Sequence, residues 1–406
     1  MQKLRIAYSI CGEGHGHYGR NVEIIKELLR RLPGCQIDLY LYGDTLNIFL
    51  KDREICKLVN IYKIKGFRFI YKNTGIINSL TATGINKNNN LVFLQIIKLN
   101  FLYLFFLLFK KIFKLKTENF FNNYYSEYFK KFDFAITDLE PLLPRIALLR
   151  EKPFLTLDNQ HAMLYGDLDI KKLKLSERLE YLFVINFLKT YHPKSDLSIL
   201  TTFCEIPIKS KYINKVKAVG PLIRKNIIEI RDKIKYEDFI LIYAHKVLGS
   251  KLFPILTKLK DYRFVVFTTD NFNSTGFLYR REWIEYHSID PVKFVKKLSE
   301  CKAVISSAGN TLLSESVFLK KPFYGIGLQG LFEQRLNLYL LNNTGWGDGC
   351  KISELTEKHI LNFLNNIDVY LTKVRDAKTV DNTSLIIDLI INKIDRDVYR
   401  KKIATN

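Results

Sequence analysis

The sequence predicts an α/β fold with two domains, each built on a parallel sheet that is covered by helices. Short apolar runs bounded by turn residues alternate with stretches whose apolar residues recur at helical spacing, a pattern typical of parallel sheets. The chain has 406 residues, which is more than one ordinary hydrophobic core accommodates. The alternation starts again after the Gly-Pro pair at 220–221, so the sequence indicates two α/β halves.

Apolar runs in both halves have the composition of strands. The run KLRIAYSI at 3–10 leads into a glycine-rich stretch and then a helix, which Pro33 and Gly34 end. The other runs of the first half are QIDLYLYGD, FDFAITDLEP, KPFLTLDNQ and DLSILTTF, and those of the second half are EDFILIYAHK, YRFVVFTTD, EWIEYHSI, CKAVISSAGN and KPFYGIG. We predict a first domain over 1–218, a linker over 219–225, a second domain over 226–380 and a helical tail over 381–406.

The formal net charge of +22 bears on the class of partner. A field of this sign favours phosphate groups, nucleic acid or an anionic membrane surface, although a lysine-rich genome produces the same excess. The charge is diffuse and is not interleaved with aromatic residues on a recognition element, so nucleic acid is not the expected partner. The cysteines are scattered and have no metal-binding or redox spacing, and a strand-like run stands where a signal peptide would. Both observations indicate a cytoplasmic protein.

The stretch at 91–116 is unusually apolar and aromatic. Its charge-free part, Leu99 to Phe109, is short for a helix that spans a membrane. A buried core helix and a helix lying on a membrane surface both fit this pattern. The flanking cations are Lys110, Lys111, Lys114 and Lys116. Because cations beside an apolar face suit anionic headgroups, we expect this stretch to contact the inner face of the membrane.

A glycine-rich stretch, SICGEGHGHYGRN at 9–21, follows the first predicted strand. Its glycines at 14, 16 and 19 fit the spacing GxGxxG, and Asp44 ends the next strand, as in a dinucleotide site. A tight turn that needs glycine for backbone freedom is a second interpretation. The third is a substrate loop in which His15 or His17 accepts a hydroxyl proton near neutral pH. We favour the third, because the imidazoles stand where a pyrophosphate requires bare backbone.

Polar residues follow two further predicted strands of the first half. Asp138 and Glu140 come after one strand, and Asn159, Gln160 and His161 come after the next. Because ligands of open parallel sheets bind beyond the carboxyl ends of the strands, we expect these side chains beside the glycine-rich stretch. Such donors and acceptors suit a hydroxyl-rich ligand, and a carboxylate orients an imidazole. Helix capping by Asp138 and Asn159 is the structural alternative.

The segment from 303 to 347 has the most specific pattern in the chain. Its small and polar residues are Ser307, Gly309, Asn310, Thr311, Glu315, Glu333 and Gln334. A strand ends in the first two and a helix starts at the third or fourth, so free backbone N–H groups offer an anion site. One glutamate lies about one turn into that helix, and the glutamate–glutamine pair follows the next strand at the same edge. Phosphate donors, a carboxylate and an amide in this order suit a nucleotide-sugar.

Over most of its length the chain resembles glycosyltransferases with the two-domain GT-B fold. The resemblance rests on SSAGNTLLSE and KKPFYGIGLQGLFEQRLNLYLLNNTGWG, and it is closest to the group that includes family 28. GEGHGHYGR, TDLEP and LDNQH are similar to a narrower set of archaeal and bacterial glycosyltransferase-like proteins. The resemblance implies two Rossmann-like domains facing across a cleft, with a nucleotide-sugar bound by the second half and an acceptor by the first. It implies no bound metal and no other cofactor.

The resemblance also implies roles in the donor half. Glu315 matches the ribose-binding glutamate, and Glu333 with Gln334 matches the pair that faces the donor sugar. The turn next to the phosphates is matched by Ser307, Gly309, Asn310 and Thr311. His245 and Lys246 depart from the pattern, because glycines usually contact the diphosphate at that loop; a cation there would bind phosphate as a point charge.

In the first half the resemblance implies a base and an acceptor site. His17 matches the histidine that ends the glycine-rich acceptor loop, and His15 is its rival. A carboxylate from Asp138 or Glu140 would orient the base. The residues expected at the acceptor are Gly14, Gly16, Arg20, Asn159, Gln160 and His161.

We therefore predict a glycosyltransferase that moves a hexose or N-acetylhexosamine from a nucleotide-sugar, expected to be UDP-linked, to a lipid-linked, membrane-surface or polymer acceptor. Inversion is favoured by the likeness to family 28. A nucleotide-sugar 2-epimerase on the same fold is an alternative. An NAD(P)-dependent oxidoreductase is a further one, but it leaves the SSAGNTLLSE segment unexplained.

Overall fold

The computed structural model of the chain describes residues 3–12, 14–66, 98, 100–101, 129–170, 175–268, 279–329 and 331–399. These residues form two α/β units, each built on a parallel sheet, as the alternation in the sequence predicts.

The first sheet has seven strands in the order β3-β2-β1-β4-β5-β6-β7. They are β1 (Arg5–Ile10), β2 (Gln36–Leu41), β3 (Asn60–Lys63), β4 (Phe134–Asp138), β5 (Phe154–Asp158), β6 (Leu197–Thr201) and β7 (Val216–Val219). Neighbouring strands are parallel, and Ile6 of β1 lies opposite Ile37 on one side and Phe134 on the other. The strand order reverses between β1 and β4, and ligands of open α/β sheets bind at such a reversal.

The second sheet has six strands in the order β10-β9-β8-β11-β12-β13. They are β8 (Ile240–Ala244), β9 (Phe264–Thr268), β10 (Ile284–Ser288), β11 (Ala303–Ser307), β12 (Phe323–Gly327) and β13 (Gly347–Lys351). Its order reverses between β8 and β11, so each unit has its own expected ligand edge.

Helices connect the strands within both units. Those described are α1 (Gly14–Arg31), α2 (Gly43–Lys51), α3 (Arg53–Leu58), α4 (Leu142–Leu149), α5 (Ala162–Tyr165), α6 (Leu175–Tyr191), α7 (Lys225–Ile230), α8 (Lys246–Leu256), α9 (Pro291–Glu300), α10 (Asn310–Phe318), α11 (Phe332–Thr344), α12 (Glu357–Asn365), α13 (Ile367–Arg375) and α14 (Thr383–Ile394).

The first sheet is buried on both faces. Along β1, Ile6 and Tyr8 pack in one core cluster, while Ala7 between them packs in another. All five residues of β4 and all five of β5 are buried. Strands covered on both faces read as continuous apolar runs, which is why the sequence reveals them.

Helix α1 begins earlier than the sequence predicts. The glycine-rich stretch is not a loop, because the helix already starts at Gly14. A Cβ at Gly16 would lie 2.9 Å from Oγ1 of Thr311, and a Cβ at Gly19 would lie 3.3 Å from Cδ of Arg224. These two glycines therefore permit the close approach of other chain segments rather than a tight turn.

The C-terminal helix returns to the first domain. Ile386, Ile387 and Ile390 of α14 are fully buried and share a core cluster with Val22 and Leu28 of α1. Full burial of such a side chain is worth about 1.5–3 kcal/mol. This helix therefore contributes to the core of the first domain although it follows the second in sequence.

The predicted membrane-contacting stretch at 91–116 lies outside the described residues except for residues 98, 100 and 101. Arg145 of α4 donates from Nε to Oδ1 of Asn100 at 2.8 Å. Among the helices that the structure describes, none is long and apolar enough to cross a membrane.

Candidate active site

The carboxyl edges of the two sheets face a common cleft. Nδ2 of Asn310, at the start of α10 in the second domain, donates to the carbonyl oxygen of Thr201 at the end of β6, at 3.2 Å. Gly16, in the first turn of α1, lies against Thr311 of α10. The N-termini of α1 and α10 therefore meet across the cleft, each following the strand beside the reversal in its own sheet.

A buried polar cluster surrounds Asp138 at the end of β4. His17 Nδ1 lies 2.8 Å from Asp138 Oδ2, and Arg20 donates to the same carboxylate from Nε at 2.9 Å and from Nη2 at 2.5 Å. Asn21 Nδ2 donates to Oδ2 as well. Asp138 has no exposed surface. Since His17, Arg20 and Asn21 are three and four residues apart, one face of α1 carries all three partners.

The surroundings of His17 favour its protonated form. Burial acts against the charged imidazole, but the carboxylate of Asp138 outweighs it and raises the pKa of His17 to about 10. Burial also acts against a charged Asp138, whereas Arg20 and His17 hold the pKa of that carboxyl well below its usual range. Arg20 Nη2 lies 2.7 Å from His17 Nδ1, so the guanidinium and the imidazole share one carboxylate.

Glu140 caps a helix. Its carboxylate oxygens accept from the backbone N–H groups of Leu142 and Leu143, each at 2.8 Å, at the start of α4. The side chain is fully buried, and burial raises the pKa of Glu140. The sequence predicts a catalytic carboxylate here, but capping engages both oxygens, so we remove Glu140 from the catalytic set.

His161 belongs to the core of the first domain. Its Nδ1 lies 2.7 Å from Asp158 Oδ2, and its backbone N–H donates to Asp158 Oδ1 at 2.9 Å. The ring stacks on Tyr165 and meets the edge of His192. Burial and the neighbouring His161 lower the pKa of His192 to about 3. His161 is 1% exposed and its ring is engaged by Asp158, Tyr165 and His192, so its predicted contact with the acceptor stays a prediction.

The N-terminus of α10 is open toward the cleft. Gly309 precedes the helix with φ of −77° and ψ of 137°, and no side chain of the described residues caps the helix. A Cβ at Gly309 would meet no atom of the described residues within 4 Å. Asn310 Oδ1 is buried without a hydrogen-bond partner among the described residues. First-turn N–H groups have no acceptor within their helix, so this end suits an anion. Ser307 ends β11 immediately before this turn.

Glu315 pairs with an arginine from the connection between the domains. Arg224 donates from Nε to Oε1 at 2.5 Å and from Nη2 to Oε2 at 2.7 Å. Glu315 is 1% exposed. The resemblance implies a ribose ligand for this carboxylate, and the structure adds a guanidinium that holds both of its oxygens.

Glu333 and Gln334 have different partners. Glu333 accepts from Asn159 Nδ2 at 2.7 Å and from Gln160 Nε2 at 2.9 Å, and both donors belong to the first domain. Gln334 Oε1 accepts from the backbone N–H of Leu328 at 2.9 Å. Asn159 and Gln160, which the sequence assigns to the acceptor, therefore contact the residue expected at the donor sugar.

The remaining predicted residues lie at helix starts. His245 and the exposed Lys246 begin α8 after β8, at the reversal of the second sheet. Gly14 and His15 lie in the first turn of α1, and the side chain of His15 is outside the described part of the structure. The structure describes no group of three His, Cys, Asp or Glu side chains that would hold a metal ion, and metal independence stays a prediction.

Sequence reasoning missed Asn21 and Arg224. The helical spacing of Asn21 from His17 is a signal for the first, but it is legible only once the glycine-rich stretch is known to be helical. Arg224 stands in the segment between the two sheets, and its pairing with Glu315 joins residues 91 positions apart. We find no signal in the sequence for that pairing.

Two α/β units, each built on a parallel sheet and facing the other across a cleft, have the architecture of the GT-B class of glycosyltransferases. The chain belongs to glycosyl transferase family 1, which matches residues 106–368. The predicted fold and enzyme class are confirmed, while the closer likeness to family 28 stays a prediction.

Individual relatives agree with this class. A UDP-N-acetylglucosamine--N-acetylmuramyl-(pentapeptide) pyrophosphoryl-undecaprenol N-acetylglucosamine transferase of Pelagibacter ubique is 30% identical over 215 residues, covering 47% of this chain and 59% of the relative. The crystal structure of Acinetobacter baumannii MurG is similar with a TM-score of 0.56 and 16% identity, covering 96% of this chain and 99% of that one. The crystal structure of Medicago truncatula UGT71G1 complexed with UDP-glucose is similar with a TM-score of 0.60 and 15% identity, covering 97% of this chain and 98% of that one.

Proposed function

We propose that the protein transfers a hexose or N-acetylhexosamine from a UDP-linked sugar to a lipid-linked acceptor at a membrane surface, with inversion and without a metal. The observation that carries this proposal is the pair that Asp138 forms with His17 in the first turn of α1, whose Gly16 lies against Thr311 at the uncapped N-terminus of α10. One side supplies a proton acceptor and the other stabilises a departing anion.

In this proposal the N-terminus of α10 stabilises the leaving group. A nucleoside diphosphate departs with negative charge, and the first-turn N–H groups together with the helix dipole favour negative charge at this end. The open space at Gly309 allows phosphate oxygens to approach the backbone. Because the fixed dipoles stabilise the diphosphate, the reaction needs no metal ion for that role.

In this proposal His17 takes the proton of the acceptor hydroxyl. In an inverting transfer this hydroxyl attacks the anomeric carbon in line, the bond to the diphosphate breaks, and the hydroxyl proton passes to a base. Nδ1 of His17 is engaged by Asp138, so in the neutral form of the imidazole Nε2 is the nitrogen that takes the proton. Asp138 stabilises the resulting imidazolium. The pKa of about 10 means that the neutral base becomes more populated, and transfer faster, as the pH rises above neutral.

Support for the substrates comes from relatives. The structural relative from Medicago truncatula was solved with UDP-glucose, and the relative from Pelagibacter ubique is named for transfer of N-acetylglucosamine to a pyrophosphoryl-undecaprenol acceptor. These names favour a UDP-linked donor and a lipid-linked acceptor here.

Helix α6 supports contact with lipid. Large apolar side chains are exposed along it at Leu175, Leu179, Leu182 and Phe183. Such contiguous exposed apolar surface marks an interaction site. A cavity of about 190 Å³ lies between α6 and α11, and Tyr181, Leu336 and Tyr339 are among its walls. Exposed apolar side chains on α6, together with a cavity between α6 and α11 whose walls include Tyr181, Leu336 and Tyr339, favour an acceptor with a hydrocarbon chain.

The direct test is His17→Ala. We expect this variant to bind UDP-glucose or UDP-N-acetylglucosamine as the wild type does. Its rate of sugar transfer should fall about 10²- to 10⁴-fold, the range for loss of one general base. Donor binding is measured by thermal shift or calorimetry, and transfer by release of UDP in the presence of a lipid-linked acceptor.

Two further histidine variants make the result specific. His15→Ala tests the rival base, and His359→Ala on the exposed surface of α12 is the matched control. Transfer by His17→Ala within about threefold of wild type would reject the base role, since a base is worth far more than that. A large loss in His15→Ala alone would move the role to that residue.

A further inference from the structure

A hydrogen-bonded bridge crosses the cleft at Glu333, the second residue of α11. Asn159 Nδ2 donates to Oε1 at 2.7 Å, and Gln160 Nε2 donates to Oε2 at 2.9 Å. Asn159 is 3% and Gln160 is 8% exposed. Each oxygen of one carboxylate therefore receives an N–H group from the opposite domain.

The bridge continues to the cluster around Asp138. Asn159 Oδ1 accepts from Arg20 Nη1 at 3.0 Å. Arg20 holds Asp138 through Nε and Nη2, and Asp138 contacts His17 Nδ1. One continuous chain of hydrogen bonds thus connects the proposed base in the first domain with Glu333 in the second.

The polarity of this chain fixes the amide of Asn159. A guanidinium only donates and an ionised carboxylate only accepts, so Oδ1 must face Arg20 and Nδ2 must face Glu333. The backbone beside it is held by Asp158, which accepts from the N–H of His161 at 2.9 Å. Each carboxylate oxygen has more than one lone-pair site, so Glu333 keeps capacity to accept from a ligand.

We infer that Asn159 and Gln160 are positioning residues for the donor sugar, an inference that rests on the proposed function. They hold Glu333 in the orientation in which its free lone pairs accept from a sugar hydroxyl. Asn159 also ties Glu333 to Arg20 and Asp138, so the donor sugar and the base are aligned by one bridge. The sugar, and not the nucleotide, depends on this bridge.

The test uses UDP-glucose, UDP-N-acetylglucosamine and UDP as probes of the wild type, Asn159→Asp and Gln160→Glu. Each substitution keeps the side-chain shape and replaces an N–H donor with an oxygen that repels Glu333. We expect the affinity for the better-bound nucleotide-sugar to fall about 10- to 100-fold, the range for losing a hydrogen bond to a charged group, while affinity for UDP changes less than about threefold. Unchanged UDP binding also demonstrates that each variant is folded.

Kinetics distinguish the two residues from each other. Of these two residues, Asn159 is the one that accepts from Arg20, so Asn159→Asp should lower kcat and raise the donor KM, whereas Gln160→Glu should raise KM alone. Adding Glu333→Gln to Gln160→Glu restores a donor opposite an acceptor and should recover part of the lost sugar affinity. Asn362→Asp on the exposed surface of α12 is the matched control.

The outcomes separate this inference from the proposed function. If the wild type binds a nucleotide-sugar more tightly than UDP and both variants keep that preference, the inference is overturned and the proposed function stands. Equal loss of UDP and nucleotide-sugar also overturns it, because the bridge then supports the cleft as a whole. If the wild type binds none of the three probes, the proposed function fails and the inference falls with it.

Discussion

Asp138 is the residue on which the polar cluster of the first domain depends. It is fully buried and accepts from His17, Arg20 and Asn21, and Asn21 is itself held by the hydroxyl of Tyr8. A buried carboxylate without partners is strongly unfavourable, and removing one partner of a buried pair costs about 3–5 kcal/mol. The cluster therefore tolerates little change, and Asp138 is the neighbour that most favours the charged form of His17.

Asp138→Asn should lower the pKa of His17 below its ordinary value. In the variant the carboxylate that raises the pKa is gone, while burial and Arg20, which both lower it, remain. The measurement is an NMR titration of the His17 ring, with the signal assigned by its absence in His17→Ala. We expect a pKa far above about 6.5 in the wild type and below that in the variant.

The raised pKa of His17 also makes the free energy of unfolding depend on pH. A folded-state pKa raised to about 10 stabilises the folded protein fully below about pH 6.5, and this contribution is lost as the pH rises through about 10. Wild type should therefore lose more of its free energy of unfolding than Asp138→Asn between neutral and alkaline pH. A wild-type His17 that titrates near its ordinary pKa would contradict the electrostatic account of the pair.

At the scale of elements, the start of α1 could not be predicted correctly from the sequence. Glycine is a poor helix former, so four glycines in eight residues indicate a loop. The stretch is helical instead, and its glycines serve tertiary contacts, because Gly16 and Gly19 allow Thr311 and Arg224 to approach α1 closely. The dinucleotide interpretation fails for the same reason, since GxGxxG is helical here.

Strands were predictable where both faces are buried and apolar. The runs that became β1, β4, β5 and β9 are of this kind. β13, with the sequence GDGCK, carries no apolar run and was missed. A Cβ at Gly347 would lie 1.8 Å from the carbonyl oxygen of Phe323, so glycine serves the approach to β12, which no pattern of hydrophobicity reveals.

Helix α6 gives a prediction about the membrane. Replacing Leu179, Leu182 and Phe183 together by Ser should reduce binding to anionic liposomes at least about tenfold, because each large apolar side chain contributes about 1.5–3 kcal/mol when buried. Flotation at low salt measures the bound fraction, and UDP binding verifies that the variant is folded.

The matched control replaces three exposed apolar residues elsewhere, Val292, Val369 and Leu385, by Ser. It should float as the wild type does. Equal flotation of both triple variants, or a wild type that stays in the soluble fraction, would remove α6 from the proposed membrane contact.

At the scale of the whole molecule, the site is assembled from both domains. Glu333 is held by residues 174 and 173 positions earlier in the chain, and Glu315 by Arg224 from the connection. The sequence indicated that polar residues gather at both sheet edges. It did not indicate which residues pair across the cleft, because that depends on how the two sheets face each other.

The central claim is that a nucleoside diphosphate binds at the N-terminus of α10, and titration of UDP into the wild type, Gly309→Asn and Gly309→Asp tests it most directly. Gly309 has a backbone conformation open to any residue, and no described atom lies within 4 Å of its Cβ position, so both variants should fold. They differ in one charge beside the proposed phosphates. We predict that Gly309→Asp binds UDP at least about tenfold more weakly than Gly309→Asn. The carboxylate of the aspartate and the diphosphate of UDP are both negative, and neighbouring like charges repel strongly in a partly buried site. Equal affinity of the two variants for UDP would contradict the claim.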